Sequence, residues 1–168
     1  MYRIKNLSLM DVFDLKGVKI GVVNDILLNL NEGKILGIKV SGGRIIEKTI
    51  NVLKENIISL NEKIIIEKTS DGKFLNFGDI KNMDIIDIDG SIFGVAEDIV
   101  FDEESFNIKA IVVSSGFIKN FFEGKKIVPI TQIIAGDESL YKITNQELSM
   151  LSIPHKLFME TGSYEEEV

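Results

Sequence analysis

The sequence has no cysteine and only one histidine, and these absences remove several kinds of chemistry. A chain of 168 residues without cysteine cannot form disulfides, thiolate metal sites or a cysteine nucleophile. The histidine, His155, has no second imidazole and no recognisable nucleophile motif to complete a triad. No glycine-rich stretch has the spacing of a phosphate-binding loop. We therefore expect a protein that is not an enzyme and that needs no cofactor.

Long apolar runs and an excess of positive charge are also missing. No run of about 18 apolar residues is present, and the first 17 residues lack the apolar core of a signal peptide. The chain has 26 acidic and 19 basic side chains, and its net charge of −7 repels phosphate backbones. We expect a cytoplasmic protein without membrane insertion and without general affinity for nucleic acid.

Two acidic stretches, "DIDGS" at 87–91 and "FDEES" at 101–105, contain carboxylates of the kind that calcium prefers. Their spacing does not match the EF-hand loop, in which acids alternate before a glycine and a distant glutamate completes the site. Hairpin turns explain both stretches more simply, because Asp and Ser side chains accept hydrogen bonds within turns. The sequence therefore predicts no metal site.

One stretch of sequence occurs twice, 73 residues apart. The offset holds without a gap between residues 10–41 and 83–114, so that "MDVFDLKG" lies over "MDIIDIDG". After a loop that is longer in the second copy, the offset becomes 76. Three identical pairs are predicted to have structural roles: Gly17 and Gly90, Gly21 and Gly94, and Asp25 and Asp98. Such agreement in one register indicates two copies of one fold.

Each copy has the pattern of short antiparallel strands joined by turns. Apolar residues alternate from Ile20 to Leu30, and Asn31-Glu32-Gly33 supplies a turn before the next strand. An open sheet of about 60 residues would expose its edges, so closure into a small barrel is favoured. Gly21 and Gly94 lie within strand patterns, where glycine marks the bends that closure needs. We predict an all-β fold of two tandem barrels.

These segments resemble the PRC-barrel family, which is named after the photosynthetic reaction centre H subunit and also occurs in a ribosome-maturation factor. The resemblance rests on "LKGVKIGVVNDILLNLNEGKILGIKV", on "IDGSIFGVAEDIVFDEESFNIKAIVV" and on following segments such as "KKIVPITQIIAGDESLYKI". The first copy departs from the family pattern at Leu53, where the second copy has Pro129. The resemblance implies a cytosolic adaptor or interaction module, and it brings no catalytic residues.

The chain divides into four parts on this interpretation. The first barrel is placed at 1–70, a linker at 71–82, the second barrel at 83–145, and a C-terminal helix and tail at 146–168. The Thr-x-x-Glu spacing at 144–147 is typical of a helix capping box, and Pro154 is expected to end that helix. The tail is predicted to dock on its own barrel, and binding to a partner or to a second copy of the chain stays open as the alternative.

The loop in which the second copy departs most from the first is the candidate interaction site. Its aromatic and basic residues are Phe117, Lys119, Phe121, Phe122, Lys125 and Lys126. They could pack internally, contact a partner protein or stack on single-stranded nucleic acid, although the acidic chain disfavours the last. We predict a protein partner. A small-ligand or metal-responsive regulator using the groove between the barrels, and an RNA-processing accessory, stay open. The abundance of Ile, Lys and Asn indicates an AT-rich bacterial genome.

Overall fold

The computed structural model describes residues 2–42, 49–116 and 124–144. In these residues the chain forms two seven-stranded sheets, one for each copy of the repeat. The prediction of an all-β fold with two tandem barrels is confirmed. The predicted C-terminal helix and tail, His155, and the loop residues Phe117, Lys119, Phe121 and Phe122 lie outside the described residues.

The elements are numbered in chain order. The first half contains β1 (Tyr2–Arg3), α1 (Ile4–Leu7), β2 (Asp11–Asp14), β3 (Lys19–Asn29), β4 (Lys34–Ser41), β5 (Ile50–Leu53), β6 (Ile57–Leu60) and β7 (Ile64–Ile66). The second half contains β8 (Leu75–Asn76), α2 (Phe77–Ile80), β9 (Asp84–Ile86), β10 (Ile92–Phe101), β11 (Ile108–Ser114), β12 (Lys126–Pro129), β13 (Ile133–Ala135) and β14 (Ser139–Lys142). The two α-helices of the described ranges have four residues each, so neither is long enough to span a membrane.

The two sheets have the same topology. The first runs β5-β4-β3-β2-β7-β6 and the second runs β12-β11-β10-β9-β14-β13. Neighbouring strands along each sheet are antiparallel except for β2 with β7 and β9 with β14, which are parallel. A 3₁₀ turn joins the two end strands of each order, at Lys54–Asn56 and at Ile130–Gln132. The matching strand order confirms that the two copies fold alike.

Gly21 and Gly94 allow neighbouring strands to approach closely. A Cβ atom at Gly21 would lie 2.6 Å from the carbonyl oxygen of Ser41, and one at Gly94 would lie 2.5 Å from that of Ser114. In both sheets the register shifts beside the glycine, between β2 and β3 and between β9 and β10. A backbone oxygen at this distance leaves no room for a side chain, which explains the repeated glycine.

Gly17 and Gly90 lie in the turns that lead into the long strands β3 and β10. Their φ angles are +78° and +83°, a conformation that glycine adopts without steric cost. The Gly17 N–H donates to the carbonyl oxygen of Asp14 at 3.0 Å, and the Gly90 N–H donates to that of Asp87 at 2.9 Å. The two turns are therefore equivalent in backbone geometry.

A short strand and a helix precede each copy, and each pair docks on a barrel as an arm. The first arm, residues 2–9, contains β1 and α1, and the second arm, residues 75–82, contains β8 and α2. β1 pairs with β10 of the second barrel and β8 pairs with β3 of the first. The cross-strand pairs Tyr2 with Phe101 and Leu75 with Leu28 are related by the offset of 73.

The arms extend the repeat to residues that the sequence comparison did not include. Leu9 and Asn82, again 73 residues apart, have φ angles of +67° and +68°, although neither is glycine. Residues other than glycine adopt this conformation rarely, so its recurrence shows that the arms are equivalent. The second arm lies entirely within the segment 71–82 that the sequence assigned to a linker, and the structure places it against the first barrel.

Asp25 and Asp98 hold the helices of the two arms. The Asp98 carboxylate accepts hydrogen bonds from the N–H groups of Ile4 at 3.2 Å and Ile99 at 2.8 Å. The Asp25 carboxylate accepts from Gly78 at 3.0 Å and from Ile26 at 2.8 Å. The first N–H groups of a helix have no partner within the helix, so these carboxylates satisfy them from the barrel.

The two barrels also contact each other directly through their hairpins. The Ile35 N–H donates to the Phe106 carbonyl oxygen at 2.9 Å, and the Ile108 N–H donates to that of Gly33 at 2.7 Å. The two bonds are equivalent, because at the offset of 73 Ile35 corresponds to Ile108 and Gly33 corresponds to Phe106. The two halves are therefore related by an approximate two-fold axis. One apolar core includes side chains of both halves, and a second fills the interior of the second barrel.

Candidate functional site

The candidate site is built around the described end of the predicted interaction loop. Lys126 is the first residue of β12, and Lys125 directly precedes it. The Lys126 Nζ lies 4.4 Å from the ring centroid of Phe93 on β10. The Lys142 Nζ, on β14, lies 4.6 Å from the same centroid. We define Phe93, Lys126 and Lys142 as the Lys–Phe cluster.

The charges around the Lys–Phe cluster are not balanced. Lys142 Nζ lies 2.9 Å from Asp87 Oδ2, and both side chains are largely buried, with 12% and 17% of their surface exposed. Lys125 forms an ion pair with Glu97. Lys126 has no carboxylate partner within residues 2–42, 49–116 and 124–144. One positive charge on an aromatic ring thus remains uncompensated in this part of an acidic chain.

The first barrel has no lysine or aromatic residue at the equivalent positions, although elsewhere in it the Lys63 Nζ lies 5.3 Å from the ring centroid of Phe13. The offsets of 73 and 76 place Ile20 at the position of Phe93, Ile50 at that of Lys126 and Ile66 at that of Lys142. Three isoleucines of one barrel thus correspond to an aromatic residue and two lysines in the other. Because the two barrels share their topology, the fold does not require these charged residues.

The PRC-barrel domain model matches the chain twice, over residues 1–73 and 72–147. The chain belongs to the PRC-barrel family. The two matches correspond to the two barrels of the structure, and the resemblance found in the sequence is confirmed. PRC-barrel domains take part in protein interactions. The chain matches none of the curated proteins with which it was compared.

The second PRC barrel holds Asp87 in its charged form. The side-chain hydrogen bond from Lys142 lowers the pKa of Asp87 below its ordinary value, against the opposing effect of burial. The Ile88 N–H donates to the same carboxylate at 2.8 Å. The ion pair therefore orients Lys142 against Phe93, and Lys126 on the other strand has no carboxylate with this effect in the described part of the barrel.

Replacing Lys142 by isoleucine, the residue of the first PRC barrel, should lower the free energy of unfolding by about 1 to 3 kcal/mol at pH 7, because Asp87 loses its cation. The lowered pKa of Asp87 means that its stabilisation is complete above about pH 4 and is lost as the pH falls through the folded-state value. The difference in free energy of unfolding between the parent and Lys142→Ile should therefore be smaller at pH 3 than at pH 7. Urea unfolding at both pH values measures it, with Lys109→Ile, an exposed lysine, as control. An equal loss at both pH values would contradict the role of Asp87.

The acidic turns of the second PRC barrel use their carboxylates internally. Asp89 accepts hydrogen bonds from the Ser91 hydroxyl at 2.7 Å and from the Ser91 N–H at 2.9 Å. These bonds lower the pKa of Asp89, and the hydroxyl bond is the larger cause. Asp102 likewise accepts hydrogen bonds from the N–H and the hydroxyl of Ser105. Both lower the pKa of Asp102, and the N–H bond is the larger cause. Within the described ranges, no three potential metal-ligating side chains come together.

Sequence reasoning missed Phe93 and Lys142 as members of the site. It considered residues 117–126 as one continuous aromatic and basic segment, of which the structure describes only Gly124, Lys125 and Lys126. The signal that could have found the cluster is the alignment of the two copies, because Phe93, Lys126 and Lys142 all replace isoleucine. Each substitution alone is unremarkable, and only the fold shows that the three side chains meet.

Proposed function

We propose that the chain is a non-enzymatic, cytoplasmic adaptor whose second PRC barrel binds a protein partner at the Lys–Phe cluster. The observation that supports this proposal is the position of Lys126 over Phe93 without a carboxylate partner among the described residues. A cation on an aromatic surface offers a partner both a charge and an apolar face. The partner on this proposal presents a carboxylate beside an apolar side chain.

The charge of the rest of the chain adds selectivity to such a contact. With a net charge of −7, the protein repels acidic surfaces except where a basic group is exposed to them. Complementary charges increase the rate of association and fix the orientation of the partner. An acidic partner would therefore approach productively at the Lys–Phe cluster and be disfavoured elsewhere.

The sequence next to the cluster supports the same location. Phe117, Phe121 and Phe122 belong to the segment that enters β12 immediately before Lys125 and Lys126. Aromatic residues are enriched at protein interfaces, and loops on a rigid barrel commonly carry the binding function. The corresponding segment of the first copy, "GGRIIEKT" at 42–49, contains no aromatic residue.

Charge reversal at Lys126 tests the proposal. The parent protein, Lys126→Glu and Lys109→Glu are immobilised and exposed to extract from the native cells. Lys109 is the matched control, because it is an exposed lysine on β11 and its replacement gives the same change in net charge. We expect the parent and Lys109→Glu to retain the same partner protein. The amount retained by Lys126→Glu should be lower by at least about tenfold, because one charge contact is lost.

The result that contradicts the proposal is equal retention on all three proteins, with each variant shown by thermal unfolding to be folded. Retention of RNA that falls steeply with salt would favour the RNA-processing alternative. A rise in melting temperature with a small molecule, unaffected by Lys126→Glu, would favour the ligand-binding alternative.

A further inference from the structure

A row of apolar side chains crosses the second barrel sheet from β13 to β10. Ile134 on β13 pairs with Tyr141 on β14, and Tyr141 pairs with Ile86 on β9. Ile86 in turn pairs with Ile92 on β10. Paired residues of neighbouring strands point to the same face of a sheet, so these side chains lie side by side.

This row lies on the outer face of the barrel. Ile85 on β9 and Leu140 on β14 are fully buried in the core. Each is the neighbour of a member of the row, and neighbouring residues of a strand point to opposite faces. Two exposed isoleucines follow the row on the same face, two residues after its members on β9 and β14. We define the outer apolar patch as the row and these two residues, which gives Ile86, Ile88, Ile92, Ile134, Tyr141 and Ile143.

The outer apolar patch is open to solvent in this structure. Five of its members have between 47% and 65% of their surface exposed, and Ile86 is half-buried. Isolated apolar residues are common on protein surfaces, but a contiguous group of large apolar side chains is typical of an interaction site. The arrangement of the patch as one continuous surface therefore requires an explanation.

The first barrel does not have a continuous apolar surface at the equivalent positions. Lys19 and Glu67, both exposed, are the equivalents of two members of the patch. The Lys63 Nζ lies over the ring of Phe13, which is the equivalent of a third member. Because the two barrels share their topology, the fold tolerates charges at this place. The apolar patch is therefore not needed to form the barrel.

The surroundings of the outer apolar patch are acidic. The two segments that contain the patch, 84–92 and 133–143, have one basic residue, Lys142, which is already paired with an aspartate. Their remaining charged residues are all acids, namely Asp84, Asp89, Asp137 and Glu138. The corresponding segments of the first barrel, 11–19 and 57–67, contain acids and lysines in nearly equal number. The patch thus combines exposed apolar side chains with a negative rim.

We propose that the outer apolar patch is a docking surface for a protein face that presents apolar side chains beside lysine or arginine. The apolar side chains of such a partner would bury the patch, and its basic groups would meet the acidic rim. A second copy of the chain is a poor occupant, because two identical patches would bring negative charges together. The same rim repels nucleic acid and anionic lipid.

The outer apolar patch and the Lys–Phe cluster lie on opposite faces of one sheet. Tyr141 and Lys142 are neighbours on β14 and point to opposite faces. Ile133, the cross-strand partner of Lys142, packs against the core, whereas the partner of Tyr141 belongs to the patch. The barrel therefore offers separate places to a basic and to an acidic partner. This second surface does not rest on the function proposed for the Lys–Phe cluster.

Methyl NMR tests the docking surface, because all members of the patch except Tyr141 are isoleucines. The full-length protein, labelled at its isoleucine δ1 methyl groups, is titrated with a synthetic amphipathic peptide of leucine and lysine. A leucine–glutamate peptide is the control for charge, and a serine–lysine peptide is the control for apolar surface. We expect shifts at the patch and none at Ile58 and Ile65, its equivalents in the first barrel. The leucine–lysine peptide should bind at least about tenfold more tightly than either control.

A substitution taken from the first barrel separates docking from folding. Ile92→Lys introduces the residue found at the equivalent position, Lys19, so the barrel should fold, as thermal unfolding can verify. It should weaken binding of the leucine–lysine peptide at least about tenfold, because it places a like charge in the patch. Val18→Lys makes the same change at an exposed apolar residue of the first barrel and should leave the affinity unchanged.

The outcomes that overturn the proposal are distinct from those of the Lys–Phe cluster. Equal affinities for the three peptides, equal affinities of the two lysine variants, or methyl shifts spread over both barrels would each contradict it. A dimer of the parent protein that Ile92→Lys dissociates would show that a second copy is the occupant. Lys126→Glu should not weaken binding of the leucine–lysine peptide, so the two surfaces are tested separately.

Discussion

Replacing Asp98 by alanine is expected to lower the free energy of unfolding by about 3 to 5 kcal/mol, the cost of breaking a buried ion pair from one side. Asp98 is 6% exposed and accepts hydrogen bonds from the Ile4 and Ile99 N–H groups. Arg3 Nε lies 2.8 Å from its carboxylate as an ion pair and has no aligned hydrogen-bond acceptor among the described residues. The variant would remove this partner from the guanidinium, from the helix N–H of Ile4 and from the strand N–H of Ile99. Urea unfolding measures the change.

The matched control is Asp25→Ala at the equivalent position of the first barrel. Asp25 makes the same kind of hydrogen bonds to its arm, but the residue equivalent to Arg3 is Asn76, which carries no charge. Its replacement should therefore cost only about 1 to 2 kcal/mol. A smaller loss for Asp98→Ala than for Asp25→Ala would show that the ion pair with Arg3 does not stabilise the second barrel.

Valine at Gly94 is the second change for which we expect a large loss, of about 2 to 4 kcal/mol. The new Cβ would lie 2.5 Å from the carbonyl oxygen of Ser114 and 2.6 Å from a methyl group of Val113, so β10 and β11 would have to separate. Overpacking against backbone cannot be relieved by a rotamer change. The same replacement at Gly21, 2.6 Å from the equivalent oxygen, should cost a similar amount.

Lys109→Val supplies the comparison for the glycine variants, because Lys109 lies on β11 and is exposed. Thermal and urea unfolding of the three variants should place Lys109→Val close to the parent and both glycine variants well below it. If Gly94→Val unfolds like Lys109→Val, the close approach of β10 and β11 is not essential to the barrel.

The sequence predicted the strands and the equivalence of the two barrels well, for a physical reason. The strand positions depend on local alternation of apolar residues and on turn residues such as Gly17 and Gly90, and both are written in each copy. The offsets of 73 and 76 then relate each predicted strand of one copy to a strand of the other. The parallel pairing of β2 with β7 followed from closure of the barrel and was not visible in either segment alone.

The sequence did not predict the arms or their crossing. Equivalent residues of the two arms share only apolar character, as in the pairs Ile4 with Phe77 and Leu7 with Ile80. The repeat was therefore recognised only from Met10 onward. A two-residue strand such as β1 has no periodicity to detect, and its choice of β10 as partner depends on tertiary packing. The Lys–Phe cluster was missed for the same reason, because its members come from three strands.

The reciprocal hydrogen bonds between the two hairpins have a consequence for how the halves can differ. Two separate copies of one repeat could form the same symmetric contact, as in an isologous dimer. In such a dimer every substitution is present in both copies. A residue that improves binding in one copy therefore also brings any loss of stability to the other copy. A single polypeptide removes that constraint while keeping the halves at high effective concentration. One half can therefore keep Ile50 and Ile66 as packing residues while the other has Lys126 and Lys142 at the same positions, where we propose the binding site.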